Sequence, residues 1–320
     1  MELTDALRTT LHAGFITVFS GLAVAQNFPV KPIRLVTSPP GGGNDFTARL
    51  IAQGVADGSL GQPMVVDNRP AALAAESVWK SPPDGYSLLV GGSTFMIGHL
   101  LRDTPYDPQR DFTPVILAGS SPNVVVIHPS LPVKNVRDLI ALAKTRRGEL
   151  NYGGAGLGGT QFLSAELFKS MTGVDIVYVA FKGAGPSVIG LLAGEIQVMF
   201  ISANSVMAHV KAGRLRALAV TSAQPSALVP DLPTVAASGV PGYDVVSVDA
   251  VYAPAGTLAA VVNRLNQEIS RAINKPDLKR KFLEAGTEIV GGAPEVLGAK
   301  LKSEISIWGK LIEAKGLREK

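Results

Sequence analysis

The chain has 320 residues, 46% of them apolar and 18% charged, with a formal charge of +4 and no cysteine. That balance excludes a disordered chain and leaves room for one large or two medium domains with a substantial core. The absence of cysteine excludes disulfides, thiolate metal sites and a cysteine nucleophile.

In chain order, residues 11–25 form an apolar run that ends Ala23-Val24-Ala25, a small-x-small pattern before Gln26, with Arg8 upstream. Residues 1–26 therefore read as a secretory signal peptide. The run is shorter than the ~20 apolar residues that a membrane-spanning helix needs, so the mature chain is expected to be exported and free of a membrane anchor. Losing Glu2, Asp5 and Arg8 with that segment leaves 29 basic and 24 acidic residues, a formal charge of +5. The basic residues are scattered over predicted helix faces, which argues for a solvated surface and against nucleic-acid binding.

Residues 33–37 read as a strand that breaks at Pro39-Pro40-Gly41-Gly42-Gly43 and restarts as a helix, with Asn44 or Asp45 placed to cap it. Bare glycine amides beside a helix N-terminus form a corner suited to an anion. No Gly-Lys-Ser/Thr follows, so this is not a P-loop. Strands are predicted at residues 63–66 and 86–90, the second leading into a bare loop, Gly91-Gly92-Ser93-Thr94. Two separate strands are expected at 112–117 and 124–128, then a helix at 136–144. Further strands fall at 149–152, 176–181, 196–201, 216–221 and 243–252, with helices at 257–274, 277–285 and 294–315. This alternation points to a parallel α/β architecture, whose ligands sit beyond the carboxyl ends of the strands.

Five stretches share one design of strand, polar Gly/Ser/Thr/Asn loop and helix: residues 39–45, 91–94, 153–161, 182–186 and 202–205. Hydroxyls and uncovered amides converging at strand ends make a cradle for a polar anion. Gly154 to Gly159 satisfies G-x-G-x-x-G, but its preceding strand is short and polar, and Asp175 precedes its own strand instead of ending it. The four histidines are isolated in sequence, no G-x-S-x-G occurs, and Lys182 reads as a loop lysine rather than a Schiff-base nucleophile. No cofactor is expected. Asp249 interrupts an apolar strand, where a buried charge needs a partner, and so faces a cleft or a hinge.

Taken together, several stretches resemble the Bug family, the TctC-like solute receptors of tripartite tricarboxylate transporters. They are Pro39-Pro40-Gly41-Gly42-Gly43 with Asp45; Val65 to Pro70; Pro83-Asp84-Gly85-Tyr86; Pro105-Tyr106-Asp107-Pro108; Asn151-Tyr152 through Leu163; Phe181-Lys182-Gly183; Pro230-Asp231-Leu232-Pro233-Thr234; and Ala253-Pro254-Ala255-Gly256-Thr257. The resemblance implies a two-domain, type II periplasmic binding protein, α/β in class, with two crossing hinge strands near Pro122 and Val248. Its lobes would be residues 27–122 with 249–320, and residues 123–248. It further implies an exported, monomeric receptor that captures a small organic carboxylate and passes it to a membrane permease, with a ligand sensor or an enzyme on a related fold as alternatives. Pro40, Gly41, Gly42, Gly43, Asp45, Ser93 and Thr94 would face the ligand from one lobe. Ala155, Gly156, Thr160, Gln161, Lys182, Ser202 and Asn204 would face it from the other, with Asp249 at the hinge. Phe162, Ile201 and Val248-Asp249-Ala250 depart from residues common in that family.

Overall fold

The computed structural model describes residues 28–154 and 159–318. The expected signal peptide, Ala155 and Gly156 lie outside the described residues. Apolar runs bounded by glycine and proline become strands, and amphipathic runs become helices. In order these are β1 (Ile33–Thr37), α1 (Gly43–Ala56), β2 (Met64–Asn68), α2 (Ala71–Trp79), β3 (Ser87–Gly92), α3 (Ser93–Leu101), β4 (Phe112–Ile127) and α4 (Val136–Thr145). Then follow β5 (Asn151–Gly154), α5 (Thr160–Thr172), β6 (Val177–Ala180), α6 (Ala184–Ala193), β7 (Val198–Ser202), α7 (Ala203–Lys211) and β8 (Arg216–Val220). The chain closes with β9 (Val246–Pro254), α8 (Ala259–Ile273), α9 (Pro276–Glu284), β10 (Glu288–Ile289) and α10 (Pro294–Lys315).

The strand order is β2-β1-β3-β9-β4-β7-β5-β6, with β8 and β10 both added to β4. The sheet is mixed, not parallel throughout as the alternation of elements suggested. β1 is parallel to β2 and β3, and β5 is parallel to β6 and β7, but β4 and β9 run antiparallel to their neighbours. The two strands expected at 112–117 and 124–128 are one 16-residue strand, β4. Its first part, through Pro122, pairs with β9, and from Asn123 it pairs with β7 and β8. Pro122 is tolerated in mid-strand at the residue where the ladder changes partner. The return path crosses at the same level. Val245 N–H donates to the Thr221 carbonyl at 2.9 Å, and the next residue, Val246, pairs with Pro122. Buried Thr221 holds the two paths together, its hydroxyl reaching the carbonyls of Asn123 at 3.0 Å and Val245 at 2.7 Å.

One apolar cluster packs α1, α8 and α9 on β1, β3 and β9, and a second packs α6 and α7 on β7 and β8. A third runs without a break from Val36 and Leu89 through Tyr252 and Val125 to Tyr152 and Phe168, with Trp308 of α10 among its members. At 22 residues and ~1.5 Å per residue, α10 is about 33 Å long, enough to lie along both halves of the sheet. It ion-pairs twice to the half formed by residues 123–245, through Lys300 to Asp244 at 3.6 Å and Lys315 to Glu166 at 3.9 Å.

Candidate functional site

The parallel strands on each side of the crossing deliver their carboxyl ends toward it, and each end starts a helix. Gly92, the last residue of β3, pairs with Asp249, which pairs in turn with Gly119 of β4. Ser202, the last residue of β7, pairs with Asn123 of the same β4. Four residues of β4 separate these two levels, roughly 13 Å at ~3.3 Å per residue. The N-termini of α3 and α7 therefore start at neighbouring levels of the same strand, one in each half of the sheet. Each offers unpaired N–H groups and a partial positive charge.

The first loop is built around Asp45. It does not cap α1, nor does Asn44, because the helix begins earlier, at Gly43, with Gly42 as its N-cap. Asp45 lies within the first turn and is 4% exposed. Its Oδ2 accepts from Gly41 N–H at 3.0 Å and from Arg49 Nε at 3.1 Å, and its Oδ1 accepts from Asn68 Nδ2 at 2.8 Å. Burial alone would raise its pKa, but the hydrogen bonds from Arg49, Gly41 and Asn68, with the charge of Arg49, hold it down to about 2. Asn68 also donates to the Ser38 carbonyl at 2.7 Å. Asp45 is thus the brace that shapes the loop, with Gly41 in the left-handed region (φ 88°) and Pro40, Gly41, Gly42 and Gly43 exposed.

The stretch at 91–94 is not a bare loop. Gly91 and Gly92 belong to β3, and α3 starts at once with Ser93. The buried Ser93 hydroxyl accepts from Val248 N–H at 3.2 Å and donates to the Val246 carbonyl at 3.5 Å, so it ties α3 to β9. Thr94 is exposed at the mouth of a cavity of about 60 Å³ that it shares with Ser38, Asn44 and Gly92. Asp249 stands beside them. Its Oδ2 accepts from Thr47 Oγ1 of α1 at 3.0 Å, and its Oδ1 lies 3.8 Å from where a Cβ on Gly43 would be. Burial raises its pKa to about 6 against the opposing hydrogen bond from Thr47, with no charged neighbour contributing.

In the other half of the sheet, Thr160 opens α5 and is half-buried, its carbonyl accepting from Ser164 Oγ at 2.6 Å. Gln161 lies over Gly154 together with Tyr178. Lys182 is exposed just before α6. The stretch at 202–205 is also not a loop, because Ser202 ends β7 and Ala203 starts α7. The Ser202 and Ser205 hydroxyls are 2.9 Å apart. Asn204 Nδ2 donates to the Ala285 carbonyl at 3.0 Å, and Ala227 N–H donates to Glu288 Oε1 at 2.6 Å. Both bonds join the second half of the sheet to the segment after α9. Asn68, Thr47 and Thr221 carry no site role in the sequence reading. Asn68 sits in the Val65 to Pro70 stretch quoted above, but a partner 23 residues away has no local signature. Among the described residues no group of three His, Cys, Asp or Glu side chains is placed to hold a metal ion, and no helix is long and apolar enough to cross a membrane.

A sequence model described as the tripartite tricarboxylate transporter family receptor matches residues 47–317. The chain belongs to this receptor family. Among curated relatives, this receptor is 33% identical over 317 residues to Protein BugT of Bordetella pertussis, covering 96% of this chain and 97% of BugT. Among solved structures it resembles Rpa4515 of R. palustris with adipate, at 38% identity and a TM-score of 0.72, covering 90% of this chain and 98% of that one. It also resembles MatC of Rhodopseudomonas palustris with bound malate, at 29% identity and a TM-score of 0.69, covering 89% of this chain and 100% of that one. The receptor therefore has the two-domain solute-binding fold, and its relatives of known structure are binding proteins.

Proposed function

We propose that this protein is an exported, periplasmic receptor that captures a small organic carboxylate between its two lobes and presents it to the membrane permease of a tripartite transporter, working as a monomer. The observation that supports this most is the convergence of helix N-termini, from α1 and α3 on one side and α5, α6 and α7 on the other, on the crossing of β4 and β9. Such a set of amides and hydroxyls binds an anion without any cofactor. The two structural neighbours, one with adipate and one with bound malate, hold small carboxylates, which supports the same class of ligand here. The lobes of this reading are residues 28–122 with 246–318 and residues 123–245. Setting the second boundary three residues before the expected one is supported by the bond from Val245 to Thr221 and the pairing of Val246 with Pro122. Closure of the lobes on the ligand, driven by contacts available only when they meet, is the transport signal.

The test is a thermal-shift screen of the purified protein against dicarboxylates, tricarboxylates, aromatic acids, amino acids and neutral sugars. A ligand at a hundredfold excess over its dissociation constant stabilises the folded state by ~2.7 kcal/mol. The expected result is a rise with carboxylates, each recovered chemically unchanged. Conversion of the compound would favour an enzyme, and a rise with sugars alone would contradict the reading.

A further inference from the structure

The anion cradle contains one feature that a plain carboxylate does not explain. Asp249 is an acid, 9% exposed, set against the N-terminus of α1, at the spot where an anionic ligand would be drawn. One of its oxygens is held by Thr47. The other, Oδ1, has no hydrogen-bond donor among the described residues. It is not sealed either: the fully enclosed unpaired side-chain atoms among the described residues are His99 Nδ1 and the Tyr252 hydroxyl. Oδ1 therefore keeps an open edge beside Gly43, in the loop whose glycines are exposed. Among the described residues no cation pairs with it. Arg49, on the same helix as Thr47, is bound to Asp45 and Asn68 instead. The cross-strand neighbours of Asp249 are Gly92 and Gly119, which bring no side-chain donor. A carboxylate that is buried, uncompensated and open on one oxygen is a hydrogen-bond acceptor awaiting a donor.

We propose that Asp249 is the specificity-determining residue of the cleft and selects a carboxylate that carries a hydrogen-bond donor near its anionic end, an ammonium group above all. The ligand carboxylate takes the bare amides of the glycine loop and the helix starts, and its donor takes Asp249 Oδ1. A diacid without such a donor meets like charge at that position and is disfavoured. This inference rests on the carboxylate-receptor reading and narrows it to amino acids and related donor-bearing acids.

The experiment is calorimetric titration at pH 7.5 with two matched pairs, succinate against aspartate and adipate against 2-aminoadipate, on the wild-type protein and on Asp249→Asn. Asparagine keeps the shape and can still accept from Thr47, but it turns an N–H₂ donor toward the cleft. In the wild type the amino compound of at least one pair is expected to bind tenfold or more tightly than its plain partner. In Asp249→Asn that ratio is expected to fall to near one or to invert. A wild type that binds the plain diacid as tightly as the amino compound overturns the inference without recourse to any variant. So does an Asp249→Asn protein with an unchanged ratio, since a merely structural role would weaken both members of a pair alike. Failure of the wild type to bind any carboxylate in a wide screen overturns the receptor reading itself, and this inference with it.

Discussion

Asp45 and Asp249 are two buried carboxylates at one helix start, and their surroundings push their acid strengths apart. Asp45 accepts from Gly41, Arg49 and Asn68 and is held at about 2, against an ordinary value of 3.8. Its folded-state pKa is lowered, so its contribution is present above pH ~4 and fades as the pH falls toward 2. Asp45→Asn should lower stability by about 2 kcal/mol at pH 7 and by about half as much near pH 3, read from urea unfolding at both values. Equal losses at the two values would contradict this account. For Asp249 the sign reverses. Burial raises its folded-state pKa to about 6, so the folded protein binds the extra proton and loses stability as the pH climbs from 4 through 6. Without ligand, Asp249→Asn should gain up to ~3 kcal/mol over wild type at pH 8 and little at pH 4. A gain independent of pH would contradict it. The sequence marked both acids as special, because a charge in an apolar strand and an acid after three glycines both stand out. It did not show that Asp45 braces its own loop, since Asn68 is brought to it only by the pairing of β1 with β2.

At the scale of elements, apolar runs foretold most strands, but local turn-forming residues misled at three places. Gly91 and Gly92 read as a loop, yet they pair with Ala250 and Asp249 in the sheet. Ser202 read as a loop residue but pairs with Asn123. Gly119 to Pro122 read as a break, yet it is the part of β4 where the chain passes from one half of the sheet to the other. In each case long-range strand pairing overrode the local preference for a turn. The absence of a side chain at 92 has a physical reason. A Cβ there would sit 2.5 Å from the Val248 carbonyl and 3.0 Å from Asn44 Oδ1. Gly92→Ala should therefore push β3 from β9 and cost about 1–3 kcal/mol in urea unfolding. Gly98, inside α3 with nothing within 4 Å of its Cβ position, is the matched control. Gly98→Ala should stabilise by up to ~1 kcal/mol through helix propensity. Similar effects at both positions would remove the close approach at Gly92 as the cause.

At the scale of the whole molecule, the crossing strands join two bodies that also touch away from the hinge. The bonds from Asn204 to Ala285 and from Ala227 to Glu288 span from one to the other. If closure draws on such contacts, Asn204→Ala should weaken carboxylate binding about fivefold, the equivalent of ~1 kcal/mol for one neutral hydrogen bond. Unchanged affinity in titration would take Asn204 out of the closing interface. The two-lobed plan was legible because family stretches recur in order along the chain, whereas the bridging contacts were not, as they depend on how the lobes meet. The central claim, that a small carboxylate is held between these lobes, is tested most directly by small-angle X-ray scattering of the protein with and without a saturating carboxylate identified by titration. The account predicts a smaller radius of gyration on binding, with one ligand per chain. Stoichiometric binding with no change in shape, or no carboxylate that binds, would contradict it.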